Sequence, residues 1–350
     1  MARKGRIDMK SLLLQPSDLR WMDFITICPD ANIFHHPAWM DLMSDCYGYK
    51  PHVLVVLNEH DELSAGIPFM DVTRPFSSLK RVSLPFSDYC NPLYRDESSH
   101  QALTMSLVQM FTKDHVKRIE VRWCLPEHEP IQRITDFVLH TIRLNPDINV
   151  VSKNFKRTHW QNIHTAEDRG VKVEFGDELK HVRAFYDLQL ETRKRHGVPA
   201  QPWKYFELLW HYVISKGMGF ILLAKKDDEV IAGMVYLGWG NTLIAKYAAS
   251  REDHFNLRPN NLLFWEGICW GCRNGFTVFD MGRTEIANTG LRTFKSRWGA
   301  VEEPLVYSVI SGKPIQHSKG RLERAMHSII QHSPLWLCRL SGELLYRYVG

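Results

Sequence analysis

The chain has 350 residues, 44% hydrophobic and 24% charged, with a net charge of +5. That length holds either two domains or one duplicated unit. The mild charge excludes the footprint of a DNA-binding protein and suits phosphorylated or carboxylated substrates.

The opening stretch, MARKGRIDMKSLLLQPSDLRW, is basic, but its apolar run is three leucines. A signal peptide needs roughly 7–15 apolar residues and a membrane span about 20, so a cytoplasmic chain is expected. HPAWMDLMSDCYGY reads as a helix, and HVLVVLNEHDELSAGIPFMDVT as strand, acidic turn, strand. RVSLPFSDYCNPLY follows, then the helical HQALTMSLVQMFTKDH and the strand RIEVRW. A polar join covers residues 151–176.

The second half repeats this order. ELKHVRAFYDLQLETRKRHG and PWKYFELLWHYVISKG are helical, with Trp203, Phe206, Leu209 and Trp210 on a core-facing stripe. GFILLAKKDDEVIAGMVYLGWGNTLIAKYAAS breaks at KKDDE and GWGN, which predicts a three-stranded antiparallel meander. Both meanders carry Ala-Gly at the same point, Ala65-Gly66 and Ala232-Gly233. A helix runs from Arg258–Asn261 to Asn274-Gly275, and FTVFDMG is a short buried strand ending near Asp280. Gly282–Thr289 is a predicted loop. Beyond it Leu291, Phe294 and Trp298 follow one helical face toward the core, while Arg292 and Lys295 share another.

The seven cysteines are odd in number and scattered, so reduced thiols are expected. Cys269 and Cys272 form a CxxC inside a predicted helix. No second pair stands at zinc spacing, so no metal is expected. The tail, RLERAMHSIIQHSPLWLCRLSGELLYRYVG, reads as two amphipathic helices that either pack on the core or touch a membrane surface. The expected domains are 1–150, a connector 151–176, a second domain 177–312, and the C-terminal helices 313–350.

A meander, a helix starting at a turn, and a strand after it is the core order of the GNAT acyltransferase fold. On FYDLQLETRKRHGVPAQP, LRPNNLLFWEGICWGCRNGFTVFDMGRT, NTGLRTFKSRWGA and VSLPFSDYCNPLY, the chain resembles the FemAB-related group, which includes the Fem-type peptidoglycan bridge-forming aminoacyltransferases. The resemblance spans most of Phe34 to Tyr307. It implies an α/β fold of tandem duplicated GNAT-like domains, each a mixed, largely antiparallel sheet flanked by helices. It also implies an N-acyltransferase or aminoacyltransferase that acts on a peptidoglycan or exopolysaccharide precursor, in the cytoplasm or at the inner face of the membrane. The implied donor is aminoacyl-tRNA or acyl-CoA, with no tightly bound cofactor, and the implied acceptor is a phosphorylated or lipid-linked glycan or peptide precursor. The usual GNAT pyrophosphate loop is absent; Arg258-Pro259-Asn260-Asn261 stands in its place. Two alternatives are an acyl-CoA-dependent N-acetyltransferase of polysaccharide biosynthesis and a noncatalytic holder of glycan precursors.

Direct amide formation needs an oriented amine, a proton acceptor and an oxyanion partner. Asp280 at a strand end is a candidate to orient or deprotonate the amine, or else a partner of Arg283. Tyr247, on the preceding strand, is a candidate cleft residue. Arg258, Asn260 and Asn261 open a helix whose N–H groups suit a phosphate or an oxyanion. Arg193 closes a helix and is a candidate anion contact. Arg283, Arg292 and Lys295 are expected to point together at an anionic substrate. In the first half, Asp88, Tyr89 and Asn91 form a candidate acceptor loop.

Overall fold

The computed structural model describes residues 9–72, 79–114, 116–315 and 330–346. The chain divides into two compact units. The first comprises Met1–Ser44, Gly48–Thr135 and Leu305–Ile315; the second comprises Asp45–Tyr47, Asp136–Pro304 and Gln316–Gly350. The strands in chain order are β1 (Lys10–Leu14), β2 (Lys50–Leu57), β3 (Leu63–Val72), β4 (Lys80–Val82), β5 (Leu93–Tyr94), β6 (Arg118–Val121) and β7 (Ile131–Arg143). They continue with β8 (Lys172–Gly176), β9 (Gly219–Lys226), β10 (Glu229–Trp239), β11 (Thr242–Ser250), β12 (Val278–Glu285) and β13 (Val301–Ser311).

In the first unit the order is β1-β2-β3-β4-β6, closed by the Leu305–Ser311 end of β13, with β5 aside on β3. Neighbours are antiparallel except β4 and β6, which are parallel. In the second unit the order is β8-β9-β10-β11-β12, closed by the second-unit part of β7, and again a single pair, β11 and β12, is parallel. A parallel pair needs a crossover. The helices Glu97–Lys113 and Pro259–Arg273 supply it in the two units. The repeat of meander, crossover helix and following strand expected from the sequence is present in both units, while β5 and the edge and closing strands lie outside that expectation.

The paired Ala-Gly sites have a common physical cause. A Cβ on Gly66 would stand 2.6 Å from Trp21 Cζ3, and one on Gly233 would stand 3.0 Å from Phe185 Cδ2. In each unit a helix ahead of the meander, Leu19–Ile27 or Leu179–Arg195, presses an aromatic ring onto the second strand. Glycine leaves room for it. The KKDDE break is a tight turn with Asp227 at φ 48° and Asp228 at φ 66°, the pair of left-handed residues that two-residue hairpins require.

Each sheet carries its crossover helix on an apolar core. Leu103, Leu107 and Met110 pack on Val56, Ile67, Ile119 and Val121. Leu263, Ile268 and Cys272 pack among Met234, Tyr236 and Phe279. Cys269 and Cys272 lie buried in that helix, and burial pushes the Cys269 thiol up to about 12.

Some expectations need correcting. Gly282–Thr289 is not one loop: β12 runs on to Glu285, and a helix already starts at Thr289 and ends at Ser296. Trp298 is fully buried just beyond that helix, whereas Leu291 is 38% exposed. The first predicted C-terminal helix falls largely on residues 316–329, which lie outside the described residues. The second is present as Leu335–Leu345 and packs on Leu179–Arg195, with Trp336 exposed on its outer side. No helix among the described residues is long and apolar enough to cross a membrane.

Candidate active site

The site is built where two parallel strands of the second unit part. β11 and β12 pair at Thr242–Val278, Leu243–Phe279 and Ile244–Asp280, and no further, although both strands continue. Beyond Asp280 the register of β12 on β7 shifts, and pairing resumes at Arg283–Leu139. Gly282, at φ 73°, sits inside this bulge. A bulge bends its strand and increases the local twist, so β12 turns away and a fork opens.

Two buried side chains fix the bulge. Asp280 is fully buried, and its Oδ1 accepts from Gly282 N at 2.6 Å. Lys295 is 4% exposed, and its Nζ donates to Gly282 O at 2.6 Å and to Arg283 O at 3.4 Å. The structure therefore brings Asp280 and Lys295 to one residue of the backbone. Arg292 goes elsewhere: its Nε and Nη2 donate to the Glu302 carboxylate at 2.9 and 2.6 Å, and its Nη1 donates to Ile286 O at 3.1 Å. The Arg292 guanidinium holds the Glu302 carboxyl below its usual range. The expected convergence of Arg292 with Lys295 does not occur, because the bidentate carboxylate claims the guanidinium while bulge carbonyls claim the ammonium.

One arm of the fork carries Tyr247 and the other Arg283, each three residues past the last parallel pair. Val235 pairs with Tyr247 and Tyr236 with Ala245, so Lys246 is a bulged residue on β11. Tyr247 Oη lies 2.7 Å from Tyr205 Oη, and Tyr205 is fully buried. The Tyr205 ring stacks with Tyr47, which stacks in turn with Tyr346. Arg193 Nη2 donates to Tyr346 Oη at 3.1 Å and to Gln201 Oε1 at 3.3 Å. Burial pushes the phenols of Tyr205 and Tyr47 well up, and the Tyr346 phenol up against the pull of Arg193 and Arg283. These hydroxyls stay protonated at neutral pH and can act as donors. Arg283 also lies over the Phe137 ring, at 4.5 Å.

The remaining candidates are spread out. Arg258 is exposed, at φ 58°, ahead of Pro259. Asn260 Nδ2 donates to Ser250 Oγ at 3.3 Å. Asn261 is buried and donates to His159 Nδ1 at 2.6 Å. His159 Nε2 meets Phe294 O at 3.1 Å, and its ring stacks on Trp298. In the first unit, Asp88 O accepts from Tyr307 Oη, Tyr89 packs on Phe34 and Trp123, and Asn91 Nδ2 donates to Asp30 O. The aromatic cluster of Tyr47, Tyr205 and Tyr346 is absent from the sequence expectations. Its members come from positions far apart in the chain, and the one local signal is the tyrosine inside PWKYF.

Residues 153–296 match the family model described as Acetyltransferase (GNAT) domain. Among solved structures the chain is similar to FemX, at 12% identity and a TM-score of 0.67, covering 86% of this chain and 97% of that one. It is similar to the C-terminal domain of a putative lysylphosphatidylglycerol synthetase from Agrobacterium fabrum, at 14% identity and a TM-score of 0.56, covering 84% and 91%. It is also similar to a tandem GNAT protein from the clavulanic acid biosynthesis pathway, at 11% identity and a TM-score of 0.53, covering 88% and 100%. No curated protein matches the sequence. At these identities the likeness establishes the fold, a tandem GNAT arrangement.

Proposed function

We propose, from the premise that residues 153–296 form a GNAT acyltransferase domain, that the chain joins an activated acyl group to an amine of a cell-envelope precursor. The observation that carries this reading is the fork between β11 and β12, with the Tyr205–Tyr247 hydroxyl pair on one arm and Arg283 on the other.

The amine nitrogen attacks the acyl carbonyl carbon directly. An N–C bond forms, the C–O or C–S bond of the donor breaks, and the amine proton ends on the leaving atom. Tyr247, backed by the Tyr205 hydroxyl, donates toward the developing oxyanion or the leaving atom. Arg283 and Arg193 hold an anionic part of the acceptor, a phosphorylated or lipid-linked precursor met at the inner face of the membrane. Asp280 and Lys295 are positioning residues that keep the fork open. Arg258, exposed at the helix start, offers a cation to the donor.

Aminoacyl-tRNA is the donor we favour. The segment Glu252–Leu257 ahead of the helix contains no glycine and carries Glu252 and Asp253 in its first turn. Two acids and no glycine make a poor cradle for a pyrophosphate. Acyl-CoA is the second reading, favoured by the acetyltransferase domain match.

Purified chain incubated with labelled aminoacyl-tRNA or acyl-CoA and amine-bearing envelope precursors should form an amide with one donor. Tyr247→Phe should lower turnover about 100-fold. Tight precursor binding with no amide from either donor would replace the enzyme by a noncatalytic precursor holder.

A further inference from the structure

The first unit has its own parallel pair, with three matched positions as in the second: Lys80–Arg118, Arg81–Ile119 and Val82–Glu120. Counted from the end of each ladder, Glu120 stands where Asp280 stands. The surroundings differ. Glu120 Oε2 lies 3.0 Å from Arg118 Nη2 and 3.4 Å from Lys80 Nζ, and its Oε1 lies 3.5 Å from Arg122 Nε. Among the described residues no second carboxylate comes within ion-pair distance of these three cations, so one acid faces three bases. The Nε of Arg118 is buried and lacks a hydrogen-bond acceptor among the described residues, and the buried Nε of Arg122 has only its 3.5 Å ion-pair contact with Glu120. Arg122 is 9% exposed overall.

We propose that Lys80, Arg118 and Arg122 form a phosphoryl-anion site in the first unit. An excess of two positive charges matches a dianion, and two arginines with one lysine offer forked donors and a point charge. The cluster is open to an incoming ion, since the side chains of Lys80 and Arg118 are 25% and 34% exposed. Burial, opposed by Glu120 and reinforced by Arg118 and Arg122, pulls the Lys80 pKa down; a bound phosphoryl group reverses that repulsion. The neighbouring loop fits the same purpose. Leu84 and Phe86 both hold left-handed backbone, at φ 59° and 63°, and Arg122 Nη1 donates to Ser87 O at 2.6 Å to brace it. Non-glycine residues in that region are strained and gather at ligand clamps.

The site is independent of the reaction assigned to the second unit. Its test is calorimetric titration of the full chain with inorganic pyrophosphate, alongside flotation with phosphatidylcholine vesicles with and without phosphatidic acid. Saturable uptake of pyrophosphate, or capture by the phosphatidic acid vesicles alone, is expected, and the two arms tell a soluble phosphoryl ligand from a lipid headgroup. Lys80→Gln and Arg118→Gln should each weaken binding about tenfold or more, and Lys80→Arg should retain it. Glu120→Gln should strengthen it. Silence in both arms overturns the site. So does wild-type binding by both Lys80→Gln and Arg118→Gln, or weaker binding by a Glu120→Gln protein that circular dichroism shows to be fully folded at the temperature of the titration.

Discussion

Gly282 is gripped at both polar ends: its N–H by Asp280 and its carbonyl by Lys295. Losing a charge-assisted hydrogen bond in a buried place costs about 1.5–3 kcal/mol, so Lys295→Met should lower unfolding free energy by that amount in urea titrations. Asp280→Asn keeps an acceptor oxygen beside Gly282 N. Its turnover should stay within about tenfold of wild type at an unchanged melting temperature; a 100-fold loss at unchanged melting would make Asp280 the general base. Helical spacing made Arg292 and Lys295 neighbours on paper. It could not say that Glu302 would claim the one and the Gly282 carbonyl the other, because partners come from tertiary structure. Glu120 supplies a pH signature. Against burial, which raises it, Lys80, Arg122 and Arg118 pull its carboxyl from 4.5 to about 2. A depressed carboxyl stabilises the fold above its unfolded pKa, and that stability is lost as pH falls through the folded value. Between about pH 4.5 and 2, wild type should lose about 3 kcal/mol that Glu120→Gln does not lose, measured by denaturant titration at each pH.

At the scale of elements, the meanders, crossover helices and following strands were legible, because turn residues and hydrophobic period mark them locally. The Ala-Gly pairs were legible as a repeat but not as a cause; only the ring packed above each shows why glycine is there. Gly66→Ala brings a methyl to 2.6 Å from Trp21, whereas Gly233→Ala meets Phe185 and Leu223 at 3.0 Å. Overpacking costs about 1–3 kcal/mol. Gly66→Ala should sit at the upper end of that range and Gly233→Ala at the lower, read from their urea midpoints. The fork was not legible, since a bulge depends on which strand lies opposite. Asp280 and Arg283 carry no hint that β7 takes over the pairing.

For the whole molecule, the feature sequence reading missed is an exchange of strands. The first unit is closed by residues that follow the second unit's sheet in the chain, and the second by a strand made before it. Ser308 pairs with Val121, and its Oγ accepts from Leu125 N at 2.8 Å. A fragment ending at Thr135 therefore leaves the β6 edge bare, and bare edges recruit other chains. Expressed alone it should aggregate; joined through a flexible linker to Leu305–Ile315 it should elute as a monomer in size-exclusion chromatography. A monomeric, folded 1–135 fragment would show that β13 is dispensable.

During synthesis, separation along the chain becomes waiting time. Val121 and Ser308 are 187 residues apart, which at 5–20 residues per second is roughly ten to forty seconds of elongation. The second unit's last strand, β12, is complete at Glu285, before Leu305 has been added. The sheet whose strands leave the ribosome first is thus the sheet that closes last, and throughout that interval its β6 edge stays bare.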